Sequence, residues 1–488
     1  MRVLMLDLDT LRPDHLGCYG YLRNTSPTLD SICADGMRFD NYHCSDAPCL
    51  PSRAALSTGM YGIHNFAINH GNATAELRTY GQGRGFKNPD SQNNLFNVFR
   101  KAGMYTASVS SFAERHSSYW FDAGFNEIIN CGQSGQEIAE DVSPLALDWL
   151  ERNKDREDWF LHIHFWDPHT PYRTPAEFGN PFENEPIPDW FTQELVDKQQ
   201  FDVGPHCARE VVPYGQFTDL VEKPRHIASA ETVADVKKIF DGYDCGVRYM
   251  DDKIADIIQH LKDNGIYEDT AIIITADHGE NLGELGIYAE HGSADEITTR
   301  IPMIIKWPGM KKGIDKGLHV NIDLAPTIAD MFNISKCTNW DGESYAKTLQ
   351  TGEDVGREYL VVSQCAHVCQ RAVRFDKYIY IRTYHDGFHL FPDEMLFDLE
   401  KDFQELNNIA KENPDICAKA CRYLVDWMQQ MMLTSRSDVD PMWTVIRENG
   451  PFHAPLGQVA GYYEVLKKTN RADSAEELKA RYPQAFIK

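Results

Sequence analysis

No run of 18 apolar residues occurs anywhere in the 488-residue chain, so no membrane-spanning helix is expected. Cys-x-x-Cys spacing is also missing, and the twelve cysteines are scattered, a pattern of reduced thiols rather than a disulfide framework. Positive charge is scarce: 48 Lys and Arg stand against 73 Asp and Glu, leaving a net charge of −25. That balance excludes general binding to nucleic acid or anionic membranes, and any anionic ligand must be drawn in by a local basic patch. Internal repeats and low-complexity tracts are absent. Almost nothing precedes Val3–Leu8, which reads as a buried strand. The expectation is therefore a chain without a signal peptide, kept in the cytoplasm, or else a mature form numbered from its new start.

What is present is ordinary globular composition, 42% hydrophobic and 25% charged. The length exceeds one compact core, so two domains are expected, a catalytic one over 1–355 and a smaller α+β one over 356–488. Periodicity predicts strands at 3–6, 105–110, 159–165, 271–276 and 303–307, with helices at 94–102, 144–152 and 247–261 between them. The pattern is α/β. From Pro168 to Val233 it breaks into proline-rich and aromatic segments, read as a long excursion facing substrate. Short strands near 359–362, 372–375, 378–382 and 395–397 and a helix over 414–431 make the second domain. Beyond Asp438 the pattern assigns no element.

The stretch Cys49-Leu50-Pro51-Ser52-Arg53, continued to Thr58-Gly59, carries the chemistry. Pro51 suits a first helical turn and Ala54-Ala55-Leu56 continues it, which places Cys49 at a helix N-terminus. Backbone N–H groups, the helix dipole and the Arg53 fork would meet a tetrahedral oxyanion there. A cysteine can equally be a small buried apolar residue. A thiolate phosphatase loop needs five residues between Cys and Arg, and this chain has three. Asp9 ends one strand and Asp277-His278 another; a parallel sheet brings both to one edge, and such ligands suit Ca²⁺ or Mn²⁺ rather than a thiolate zinc site.

These motifs resemble the type I sulfatases, whose cysteine is oxidised to formylglycine by a maturation enzyme. Asp9-Thr10-Leu11-Arg12-Pro13-Asp14-His15, Cys49-x-Pro51-Ser52-Arg53, Trp166-Asp167-Pro168-His169 and Ala276-Asp277-His278-Gly279 match in order, with Met395-Leu396-Phe397-Asp398-Leu399 near the end. The resemblance implies an alkaline-phosphatase-like α/β sandwich with a large mixed sheet and a smaller C-terminal α+β domain. It implies a cation, Ca²⁺ or Mn²⁺, on Asp9, Cys49, Asp277 and His278, catalysis by Cys49 and Arg53, and His169 as acid towards the ester oxygen. Thr10 stands where many members carry a second Asp, and Asp7 shares a strand face with Asp9.

Two family lysines are missing. Ser110 to His116 replaces a Gly-Lys-Trp-His element, and Tyr288-Ala289-Glu290-His291 lacks the second lysine. Arg115, His116 and His291 are expected to replace them. His70 and Arg84, the latter in the Gly-rich stretch with Arg78 and Lys87 nearby, and His385 in an aromatic segment are expected at the substrate rim. The implied activity is hydrolysis of a sulfate ester on a carbohydrate, such as a glycosaminoglycan-derived fragment. Phosphodiester or phosphonate monoester hydrolysis, and sugar binding without catalysis, are the alternatives.

Overall fold

The computed structural model describes residues 1–71, 74–77, 89–214, 223 and 225–487. Fifteen strands occur among them: β1 (Arg2–Leu8), β2 (Met37–His43), β3 (Asp46–Ala47), β4 (Tyr105–Val109), β5 (Glu127–Ile129), β6 (Trp159–Phe165), β7 (Thr270–Thr275), β8 (Asn281–Leu282), β9 (Tyr288–Glu290), β10 (Met303–Lys306), β11 (Gly313–Val320), β12 (Tyr359–Gln364), β13 (Cys369–Phe375), β14 (Tyr378–His385) and β15 (Glu394–Asp398). Eight of these form the large sheet in the order β11-β2-β10-β7-β1-β6-β4-β5. The centre is parallel: β1 pairs with β6 and β7, and only β10 runs against its neighbours. Because β1, β6 and β7 are buried along almost their whole length, they read as continuous apolar runs and their polar residues collect at the carboxyl edge.

Helices cover both faces of this sheet. The 31-residue helix Val233–Asp263 begins with a capping box, in which Thr232 Oγ1 accepts from the Asp235 N–H and Asp235 accepts from the Thr232 N–H. The stretch Val247–Leu261 marked only its second half; the first half has its own apolar face in Val236, Ile239, Phe240 and Tyr243 and also buries Asp241 and Asp244 in ion pairs with Arg23. The expected helix at 144–152 starts earlier, at Ala139, because Pro144 sits in its second turn rather than at its first position. Pro144 stands past the orphan N–H groups of the first turn, so it leaves the Glu140 carbonyl without an intrahelical donor.

The second sheet has the order β15-β14-β13-β12-β3. Its fifth strand, Asp46–Ala47, comes from the N-terminal region and pairs parallel with β12, two residues before Cys49. The helix Pro414–Thr434 closes one face with Cys417, Ala420, Leu424, Trp427 and Met431, spaced three and four apart. Beyond Asp438, where the sequence pattern assigned no element, lie three helices, Pro441–Arg447, Val459–Lys468 and Ala472–Arg481. They are tied back by Asp440, whose carboxylate takes both arms of the buried Arg371 fork at 2.6 and 2.8 Å. None of the described helices is long and apolar enough to cross a membrane.

Candidate active site

Cys49 opens the helix Cys49–Thr58, whose ten residues are all buried. Its Sγ lies 3.1 Å from His278 Nε2. One ligand atom from each of Asp9, Cys49, Asp277 and His278 falls within 4.8 Å of the others. The sheet explains the convergence. Asp9 follows β1, with its N–H on the Phe165 carbonyl of β6, and Asp277 follows the neighbouring β7. Thr10 has a left-handed φ of 56°, which turns its N–H onto Asp277 Oδ1 at 3.0 Å.

Arg53 lies under this group. Its guanidinium bonds Asp7 at 2.8 and 3.0 Å, Asp277 at 2.5 Å, Asp9 at 3.0 Å and His164 Nε2 at 2.8 Å, and it is wholly buried. It does not line the cavity, contrary to the expectation of a fork facing the oxyanion, because three carboxylates hold it on the sheet side of the helix. Asp7 binds Arg53 alone of the candidate groups at this edge.

Three carboxylates around one guanidinium leave an excess of two negative charges. Burial pushes Asp277 up to about 8, with Asp9 and Asp7 adding to the rise against the pull of Arg53. Asp9 Oδ1 is buried with no hydrogen-bond partner. Two carboxylates in the ligand cluster, one with an orphaned oxygen, fit a hard divalent cation. The Cys49 thiol, by contrast, is pushed well up by burial and by Asp9 and Asp277, so the unmodified side chain is a poor nucleophile.

Above Cys49 opens a cavity of roughly 710 Å³, within the range of about 300–1,000 Å³ usual for small-molecule sites. Arg115, His116, His169, His291 and His70 line it together with Cys49. His169 is pushed down to about 3 by burial, and its Nδ1 bonds the Thr170 carbonyl, leaving Nε2 for a ligand. His116 Nε2 is buried without a partner. His70 accepts weakly from the Leu50 N–H of the nucleophile helix at 3.5 Å.

Arg173, His206, His226, Glu290, His367 and His453 also line the cavity, and no motif or spacing in the sequence marks them for it. Arg173 sits in the His169 segment and has no partner for its Nε; burial and the nearby Arg115 lower it to about 10. His367 lies three residues beyond the end of β12, in the turn before β13. His453 comes from the segment that carried no pattern. Two expectations fall elsewhere. His385 packs on Tyr482 and Phe388, outside the cavity lining, since the aromatics around it form a core under the last helices. Arg84, with Arg78 and Lys87, lies outside the described residues.

Comparison with known proteins bears on this geometry. The sulfatase family model matches residues 2–334, and one described as N-sulphoglucosamine sulphohydrolase, C-terminal, matches 283–431. The choline-sulfatase of Rhizobium meliloti is 25% identical over 94% of each chain, and the N-acetylglucosamine-6-sulfatase of Capra hircus is 23% identical over 79% of this chain and 76% of its own. A solved structure in complex with its substrate D-glucosamine-2-N,6-O-disulfate superposes with a TM-score of 0.71 at 20% identity, covering 90% of this chain and 99% of that one. The phosphonate monoester hydrolase of Silicibacter pomeroyi gives 0.68 at 22%, covering 91% and 97%. With a matched region spanning both halves of the metal cluster and the Cys49 motif, the chain belongs to the sulfatases, sulfuric ester hydrolases of the alkaline-phosphatase-like superfamily.

Proposed function

We propose that the protein hydrolyses a sulfate ester on a small carbohydrate, with Cys49 converted to formylglycine by a maturation enzyme and a divalent cation, Ca²⁺ in first place, on Asp9, Asp277 and His278. The observation that carries this reading is the pairing of Cys49 with two cationic side chains, Arg115 and Arg173, across one cavity, Arg173 Nε being buried without a partner. When bound, the cation would lower the cost of ionising a hydroxyl at residue 49 and hold a sulfate oxygen. The hydrated aldehyde supplies a geminal diol, one hydroxyl to attack sulfur in line with the ester oxygen and one to release sulfate.

The chain's own groups do the rest. Arg53 fixes the rotamers of Asp9 and Asp277 and so acts as a positioning residue. Arg115, Arg173 and His116 present donors to the sulfate oxygens, standing where the family lysines are missing. His291 stands beside His278 on the wall of the same cavity, the two rings 4.1 Å apart. His169 Nε2 faces the ester oxygen; the sulfate charge raises its proton affinity in the complex, which lets it protonate the leaving alcohol. The histidines and rings around the mouth suit a sugar, and the relatives named for N-acetylglucosamine-6-sulfate and for glucosamine disulfate support that class. Twelve free thiols suit the reducing cytoplasm.

The deciding experiment measures sulfate release from a panel of sulfated mono- and disaccharides beside a phosphate diester and a phosphonate monoester, on one preparation whose Cys49 peptide has been checked by mass spectrometry. Many-fold faster turnover of a sulfated sugar is expected. Preference for the diester or phosphonate would replace this reading with that of the phosphonate hydrolase neighbour. An unconverted thiol in protein from its native host would make the chain a binding protein.

A further inference from the structure

A second group of ligating side chains lies beside the cation-binding residues, and one of its members, His291, also has a ligand atom within 4.8 Å of those of Cys49 and His278. Glu290, His291 and His367 each place one ligand atom within 4.8 Å of the other two. Glu290 Oε1 is 2.9 Å from His291 Nε2 and 3.8 Å from His367 Nε2. Two ligands at tetrahedral angles around a zinc-class ion, each bonded at about 2.0–2.1 Å, stand about 3.3 Å apart, so these separations bracket what such an ion requires.

Three further observations point to a ligand there. His367 Nε2 is buried with no hydrogen-bond partner, and the residue is 6% exposed. The other carboxylate oxygen, Glu290 Oε2, is held by His206 Nε2 at 3.1 Å, and His206 is itself oriented by its Nδ1 on the Val211 carbonyl at 3.0 Å. Metal-binding carboxylates are commonly held in this way by an outer partner. Finally, one glutamine sets the spacing of the two strands that carry the group: Gln364 Nε2 donates to the His291 carbonyl at 2.8 Å while its Oε1 accepts from the His367 N–H at 2.9 Å. All three candidate ligands line the cavity above Cys49.

We propose that Glu290, His291 and His367 form a second metal site that takes a nitrogen-preferring divalent ion of the zinc class, with its open position towards the cavity. Two imidazoles and one carboxylate with a free fourth position is a donor set of that class, whereas the neighbouring carboxylate cluster prefers a hard cation. In terms of the proposed function, on which this role rests, the ion puts positive charge where the chain has Glu290-His291 and no lysine, on the side of the bound sulfate facing His291. Metal binding itself does not depend on that role.

The test titrates zinc ions into full-length protein already saturated with Ca²⁺, with metal content read by mass spectrometry and the ion located by anomalous scattering at the zinc edge. One tightly held zinc per chain is expected on Glu290, His291 and His367. His367→Gln and Glu290→Gln should each weaken zinc binding at least tenfold while leaving Ca²⁺ content unchanged, and Asp277→Asn should lose Ca²⁺ and keep zinc. Where Glu290→Gln fails to fold, His367→Gln carries the comparison. Zinc that binds equally well to both variants, or that scatters from the Asp9 cluster alone, overturns the proposal. Zinc bound as expected in an enzyme that releases no sulfate from any sugar leaves the site standing and removes the proposed substrate. Sulfate release that persists without any zinc site keeps the substrate and removes the second ion.

Discussion

Arg53 is the side chain on which the edge of the sheet depends, since its one buried guanidinium pairs with Asp7, Asp9 and Asp277. Breaking a buried ion pair on one side costs about 3–5 kcal/mol. Arg53→Met is expected to lower stability by about that amount in denaturant unfolding without added metal, and Ca²⁺ should restore part of it by taking over the charge. Full wild-type stability in metal-free Arg53→Met would contradict the charge argument. His169 makes a separate prediction. A leaving-group acid matters most when the alcohol leaves poorly, so His169→Ala should lose about 10²–10⁴-fold on a sugar sulfate and far less on an aryl sulfate with an acidic phenol. Equal losses on both would reassign His169 to binding. At this scale Cys49, Arg53, Asp9, Asp277 and His278 were legible because each sits in a short motif with fixed spacing. The detail that Arg53 faces the carboxylates rather than the cavity was not, since a motif carries no rotamer. His206, His367 and His453 were invisible for another reason: lone histidines from distant segments meet only through the fold.

Among elements, the last three helices matter more than their weak pattern suggested. The segment between them delivers His453, whose Nε2 sits 2.8 Å from His70 Nδ1 and whose ring stacks on His367 at 4.2 Å. His453→Ala should raise KM more than it lowers kcat, because it supports the cavity wall; a selective loss of kcat would place it at the reacting atoms instead. Burial pushes both His453 and His389 down to about 4. Folded, they are neutral; unfolded, they take up protons below the ordinary value of about 6.5. The unfolded chain then binds more protons, so this contribution to stability is complete above about pH 6.5 and is lost as the pH falls through about 4. Hydrogen-exchange protection in 459–481, taken relative to the intrinsic rate at each pH, should fall over that window, and protection independent of pH would refute it. The central strands of the large sheet and four of the second were readable from their apolar runs, whereas β2, β5 and β11 were not, since they are short or mix polar and charged residues with apolar ones. The tail was not, as Asp440, Arg471 and other buried polar groups interrupt the helical periodicity.

For the whole molecule the relevant quantity is the net charge of −25 set against a cavity lined by arginine and histidine. Repulsion of an anionic substrate acts over the full surface, while attraction by Arg115 and Arg173 acts at contact. Raising ionic strength from about 10 to about 150 mM shortens the Debye length from about 30 to about 8 Å and screens the first more than the second. The ratio kcat/KM for a disulfated sugar should therefore rise with salt, and more than for a monosulfated one. A steep fall would show that the outer surface steers anions in. The α/β class and the smaller second sheet were legible from the order of apolar segments, whereas the crossing of Asp46–Ala47 into that second sheet was not, because two residues carry no periodicity.

That short crossing has a consequence for the timing of synthesis. Residues 46 and 47 are hydrogen-bonded to a strand made more than 300 residues later, and Cys49 is left 2% exposed. Any enzyme that alters residue 49 must therefore act while the ribosome is still producing the second half of the chain, or on a chain that has been held open.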